Sequence, residues 1–219
     1  MSLIGTQLPV ALLTARDTIA ADQGAYYTAS TVPGTGLLGH AVSTTLVETK
    51  AIFSVYNGGS IATIYPQYLR MTMTVLPVGN TQQQFTLAID QGNRFSAFVA
   101  GNALTPVNVN NVSANTSLAQ VSAGAVTLTG ATSNRRIIGH RQFRPTVIGV
   151  VGDVYQWSYG SGELCDPSSL PVDGTLRAHV YYAMAPIVLP PNTMLSVHAW
   201  GATFSTGATY EYEFGYVEK

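Results

Sequence analysis

Tyr210-Glu211-Tyr212-Glu213-Phe214-Gly215-Tyr216-Val217 places four aromatic rings at even positions and both glutamates at odd ones. A period of two is the repeat of a pleated strand, whose successive side chains leave opposite faces. The segment therefore predicts a strand with one apolar face, lying centrally over a core. The same alternation recurs upstream. Leu69, Met71, Met73 and Val75 are separated by Arg70, Thr72 and Thr74, and Phe85, Leu87 and Ile89 by Thr86 and Ala88. Tyr155, Trp157 and Tyr159 share one face, and Leu195, Val197 and Ala199 oppose Ser196, His198 and Trp200.

Between these runs lie turn clusters, among them Asn57-Gly58-Gly59-Ser60, Gln91-Gly92-Asn93, Val151-Gly152-Asp153 and Leu189-Pro190-Pro191-Asn192. Short strands punctuated in this way predict roughly eight to ten strands in a sandwich or barrel. No segment carries the 3.6-residue periodicity of an amphipathic helix. The Asn- and Val-rich stretch from Gly101 to Asn115 predicts a long loop with one edge strand. The first 45 residues lack sustained alternation and contain the turn cluster Val32-Pro33-Gly34-Thr35-Gly36, so they predict an extended arm with room for one short strand or helical turn. The expected fold is all-β: an antiparallel double-sheet jelly-roll sandwich over residues 46–219, preceded by an arm over 1–45. A jelly roll is one of the few closed arrangements that manages exposed strand edges. The immunoglobulin-like sandwich is its competitor, without the usual cysteine pair.

Composition bounds what such a body can do. Only 10% of the 219 residues are charged while 46% are hydrophobic. Soluble domains average about 25% charge, so the deficit implies a surface of hydroxyls and amides or one covered in an assembly. A net charge of −1 supplies no long-range field for nucleic acid or an anionic membrane. Cys165 is the single cysteine, which rules out an intrachain disulfide and suits cytoplasmic synthesis. The opening residues lack a basic leader, and no run reaches the ~18 apolar residues of a membrane span.

The candidate chemistry is thin. Gly34-Thr35-Gly36-Leu37-Leu38-Gly39 has the spacing of a dinucleotide fingerprint, but it follows a proline turn and no acidic residue lies between Thr49 and Ile89. The histidines at 40, 140, 179 and 198 lack metal-site spacing, although His179 and His198 sit on segments that could neighbour one another. Cys165 has no evident base, and Ser161 lacks the full nucleophile-elbow pattern. Glu211 and Glu213 share one strand face, whereas a glycosidase pair flanks its bond from different elements. Tyr155, Trp157, Tyr159 and Trp200 raise a carbohydrate platform, against which core packing is the ordinary use of alternating rings. No catalytic, cofactor or metal residue is assigned, and the chain reads as non-enzymatic.

The one local charge feature is Arg135, Arg136, Arg141 and Arg144, four of the ten basic residues, within a stretch from Gln91 to Gly152 that holds no Asp or Glu. Guanidinium forks suit bidentate contact with a partner's carboxylates. Phosphate or glycan contact is the alternative, for which the chain supplies no extended basic track.

Three short motifs add a resemblance. Gly5-Thr6-Gln7-Leu8-Pro9, Asp22-Gln23-Gly24-Ala25-Tyr26-Tyr27-Thr28-Ala29 and the ending from Gly207 to Tyr216 resemble the jelly-roll head-decoration, or cement, proteins and related minor virion components of tailed bacteriophages. That resemblance implies a protein without enzymatic activity or cofactor, clamping the major capsid protein or other virion proteins at the outer capsid surface, commonly as a homotrimer. A tail- or fibre-associated receptor- or glycan-binding module is the alternative it leaves.

Overall fold

The structure is a computed structural model and describes residues 17–34, 44–78, 83–99, 102–143, 151–160, 179–201 and 207–219, without the side chains of 83, 141–143 and 179–181. These residues form two six-stranded sheets and a two-stranded ribbon. Sheet A contains β1 (Tyr26–Ser30), β3 (Ile64–Val75), β7 (Val107–Asn108), β11 (Val154–Tyr159), β12 (His179–Met184) and β14 (Thr209–Glu218). Sheet B contains β2 (Phe53–Asn57), β4 (Gln83–Asp90), β6 (Ala103–Leu104), β8 (Ala119–Ser122), β10 (Arg135–Phe143) and β13 (Met194–Trp200). The ribbon pairs β5 (Phe95–Phe98) with β9 (Val126–Leu128).

The principal strands pair in a nested order. β1 joins β14, β2 joins β13, β3 joins β11 and β4 joins β10, each pair antiparallel. The chain also alternates between sheets along β1, β2, β3 and β4 and again along β13 and β14. Every such step carries it across the sandwich, so the core is closed mainly by contacts distant in sequence.

β14 lies between β3 and β1, and its four rings face inward. Phe53 of sheet B packs between Tyr212 and Phe214, at ring-centroid distances of 5.7 and 5.3 Å. Phe85 meets Tyr155 and Trp157 at 5.0 and 5.4 Å. Tilted and edge-on rings at these separations add to the gain from burying large apolar surfaces. Tyr155, Trp157 and Tyr159 are thus core residues. Leu69, Met71 and Met73 are buried as the alternation predicts, whereas Val75 emerges from the end of β3.

Two expectations need correction. The first concerns the arm: residues 17–22 make a helical turn and Tyr26–Ser30 are paired along their length with β14, with Tyr27 and Ala29 in the core. Part of the first 45 residues is therefore integral to the sandwich. The Asn-rich loop secures it, because the side-chain amides of Asn108, Asn110 and Asn115 donate to the carbonyls of Gly24, Asp22 and Gln23. Carbonyls at a helix end need such donors. The second correction is that sheet A is mixed, because β12 runs parallel to β11. Parallel neighbours require a connection of a dozen or more residues, which the long stretch between them supplies.

Candidate functional site

The arginine-rich segment is strand β10, at one edge of sheet B and antiparallel to β4. Arg135 stands opposite Asp90, Arg136 opposite Ile89 and Arg141 opposite Phe85, with a register shift between Ile137 and Gly139. The shift changes the parity of the strand. Arg135 and His140 consequently stand opposite Asp90 and Thr86, which share one face of β4.

The four arginines separate. Arg135 lies on the outer face of sheet B yet is covered, with a side chain 5% exposed, while Arg136 is exposed. The side chain of Arg141 and all of Arg144 lie outside the described residues. Arg135 directs Nη2 at Nε2 of His198, 2.5 Å away, and Nη1 lies 3.9 Å from Glu48 Oε1. Arg94 completes the group, donating from Nη1 to Asp90 Oδ1 at 2.5 Å and from Nη2 to Glu48 Oε2 at 2.7 Å. Glu48 thus bridges two guanidinium groups, and the two acids balance the two arginines in formal charge. Arg135 thus has a carboxylate of its own chain, Glu48, within ion-pair reach.

This network lies on the outer face of sheet B, yet Asp90 and His198 are each only 1% exposed. Arg94 lies against Asp90, and Arg135 against Ser196 and His198. Phe95, Phe98 and Leu128 of the ribbon pack on Ala51, Tyr56, Val126 and Met194. The 44–50 strap is tied to the ribbon by Val126 N donating to Thr49 O at 3.0 Å. Burial sets the electrostatics. It raises the Asp90 carboxyl above the usual carboxylate range despite the nearby Arg135 and Arg94. It lowers Arg135, against the attraction of Asp90 and Glu48. It also pulls Arg94 down, but the bonds to Glu48 and Asp90 outweigh it and leave that group raised. Asp90 Oδ2 and the Nε atoms of Arg94 and Arg135 have no hydrogen-bond partner among the described residues.

Ser196 Oγ lies 3.0 Å from His198 Nε2, the separation of a nucleophile and its base. Here Arg135 occupies the same nitrogen, and Ser196 is fully buried. The arrangement can hold strands together and is closed to a substrate. The neighbouring Thr86 hydroxyl, 2.9 Å from His140 Nδ1, accepts the Trp200 indole N–H at 3.0 Å and extends the polar row.

The other candidates resolve as follows. His198 belongs to sheet B and His179 to sheet A, so the fold does not pair them. Glu213 on the outer face of sheet A accepts the Tyr68 hydroxyl at 2.6 Å and pairs with Arg70. Glu211 accepts the Gly34 N–H at 2.6 Å, which gives the start of the glycine-rich motif a structural use. Residues 35–39 of that motif, Ser161 and Cys165 lie outside the described residues. Among the described residues no three His, Cys, Asp or Glu side chains are grouped to hold a metal, and no helix is long and apolar enough to cross a membrane.

Sequence reading missed the Asp90–Arg94–Glu48 cluster. Its one local signal is the Gln91-Gly92-Asn93 turn, which folds Arg94 back over Asp90; Gly92 and Asn93 both adopt positive φ there. Glu48 gives no signal, because its approach depends on the strap crossing the sheet. Compared with protein-family models, with curated proteins and with solved structures, the chain gives no match.

Proposed function

We propose that this chain is a non-enzymatic structural protein of a virus particle: a capsid decoration, or cement, protein whose jelly-roll body clamps the major capsid lattice at its outer surface as a homo-oligomer, with three copies favoured. The observation that carries the reading is the nested pairing of β1 with β14, β2 with β13, β3 with β11 and β4 with β10 across two sheets. A double-sheet jelly roll pairs its eight strands in that way, and the architecture is used in viral capsids as well as in lectins and cupins. Fold alone does not select among these.

Surface chemistry adds support. The outward side chains of sheet A include Thr28, Ser30, Thr72, Thr74, Gln156 and Ser158, whose hydroxyls and amides cost less to desolvate than ions. Several weak attachments of one oligomer then add through effective concentration without any single strong contact.

The test is quantitative mass spectrometry of purified particles from infected cells, together with co-sedimentation of the recombinant protein with capsids lacking it. The proposal expects hundreds of copies per particle and saturable binding. A handful of copies would move the protein to the tail, where the receptor- or glycan-binding alternative lies. Absence from particles, or turnover of a substrate, would reject a structural role.

A further inference from the structure

We infer that the Arg135–His198 contact is a proton-operated latch that holds edge strand β10 and the 44–50 strap onto sheet B, and that mild acid opens it. The inference concerns the fold itself and stands whether or not the chain belongs to a virus particle.

Donor chemistry requires one state of the ring. A guanidinium offers only N–H donors and stays charged, so the histidine nitrogen facing it must present a lone pair. With Arg135 Nη2 2.5 Å from His198 Nε2, the contact requires a neutral ring with its proton on Nδ1. A second proton would set donor against donor and cation against cation where the ring is 1% exposed, beyond effective screening by water.

Among the described residues, the charged and titratable groups around the contact include Arg135 and His140 from β10, Asp90 from β4, Arg94 from the turn after β4 and Glu48 from the strap. The two carboxylates are matched by the two arginines, and Asp90 Oδ1 and Glu48 Oε2 are each committed to Arg94. A proton on His198 would add a third positive charge beside those of Arg135 and Arg94.

Linkage fixes the direction. In the opened chain the histidine takes up a proton near pH 6.5. The closed form excludes that proton, so it binds fewer protons than the open one. The stability of closure is therefore complete above that pH and falls as pH drops below it, by up to about tenfold in the closing constant per pH unit.

Opening is local because of what the latch ties together. Among the described residues β10 pairs with β4 alone, and Glu48 reaches sheet B through Arg135 and Arg94. Edge elements open at lower free energy than central strands, so the β10 backbone is the first to be released.

The experiment is amide hydrogen exchange on the full chain between about pH 7.5 and pH 5, corrected for intrinsic exchange rates, comparing wild type with His198→Gln. Glutamine keeps a carbonyl acceptor for Arg135 and has no proton to gain in this range. Wild-type β10 should lose roughly tenfold in protection per pH unit below about 6.5, while the central strand β13 holds and His198→Gln stays flat. Equal acid loss in His198→Gln, or full protection of wild-type β10 down to about pH 5, would overturn the latch. Should the variant fail to fold, ring NMR of the wild type decides. A His198 ring that becomes charged while β10 stays protected rejects the proposal, and one that stays neutral until β10 opens supports it.

Discussion

Tyr68 occupies the space that a side chain at Gly215 would need: a Cβ there would lie 2.3 Å from Tyr68 Cε1 and 3.0 Å from the Tyr26 hydroxyl. The two tyrosines close over the glycine where β14 changes register with β3, and Tyr68 continues outward to Glu213. Gly215→Ala must lift the Tyr68 ring and break that bond. Overpacking of this kind costs about 1–3 kcal/mol. Removing the ring should recover most of the loss, so a double-mutant cycle of Gly215→Ala with Tyr68→Ala, followed by urea unfolding, should show positive coupling. Simple addition of the two losses would mean that the ring moves aside freely.

Deleting residues 1–45 should prevent cooperative folding rather than detach an arm. The truncation removes β1, exposes the edge of β14 and strips Tyr27 from its stack on Tyr216 at 5.6 Å. Tyr27→Ala by itself should cost roughly 3–5 kcal/mol, the usual range for a buried aromatic. Thermal melts by circular dichroism check both, and a truncated protein melting like the full chain would show that sheet A does not need β1.

The acids around Arg94 should differ sharply in weight. Asp90→Ala leaves two buried guanidinium groups with less compensation and should cost roughly 3–5 kcal/mol. Glu48, with 34% of its side chain open to water, should cost under about 1 kcal/mol on replacement by Ala. Similar losses from both substitutions would mean that the strap, not the turn after β4, carries the network.

Alkaline titration should show tyrosines that do not ionise while the protein is folded. Burial raises the hydroxyls of Tyr155, Tyr159, Tyr212 and Tyr216 above their ordinary value. A group raised on folding contributes stability that is complete below its unfolded value and is lost as pH climbs past it. Tyrosinate absorbance should therefore stay partial above about pH 10 and then rise together with loss of the β signal in circular dichroism. Smooth ionisation of every tyrosine in the intact fold would contradict the aromatic core.

The strand faces were legible because alternation is a local property. Tyr210, Tyr212, Phe214 and Tyr216 must share a side of any extended segment that contains them, and so must Tyr155, Trp157 and Tyr159. The same reasoning left room for one short strand in the first 45 residues but did not place it in the sandwich, because β1 owes its position to β14 and the asparagine loop. It could not see that Ser196 and His198 are buried on the outer face of sheet B, because the Arg135 side chain that lies against both comes from another strand. The candidate site was legible only as a concentration of arginine.

Composition and period two determined, without any coordinates, that this chain forms strands around an aromatic core with little charge to spare. Tertiary structure decided which strands meet and how neighbouring charges are used, laying Arg135 across sheet B against His198 and Glu48 while leaving Arg136 in solvent. Alternation is set by the geometry of neighbouring residues. Pairing and burial depend on segments far apart in sequence, whose contacts exist only once the two sheets have closed.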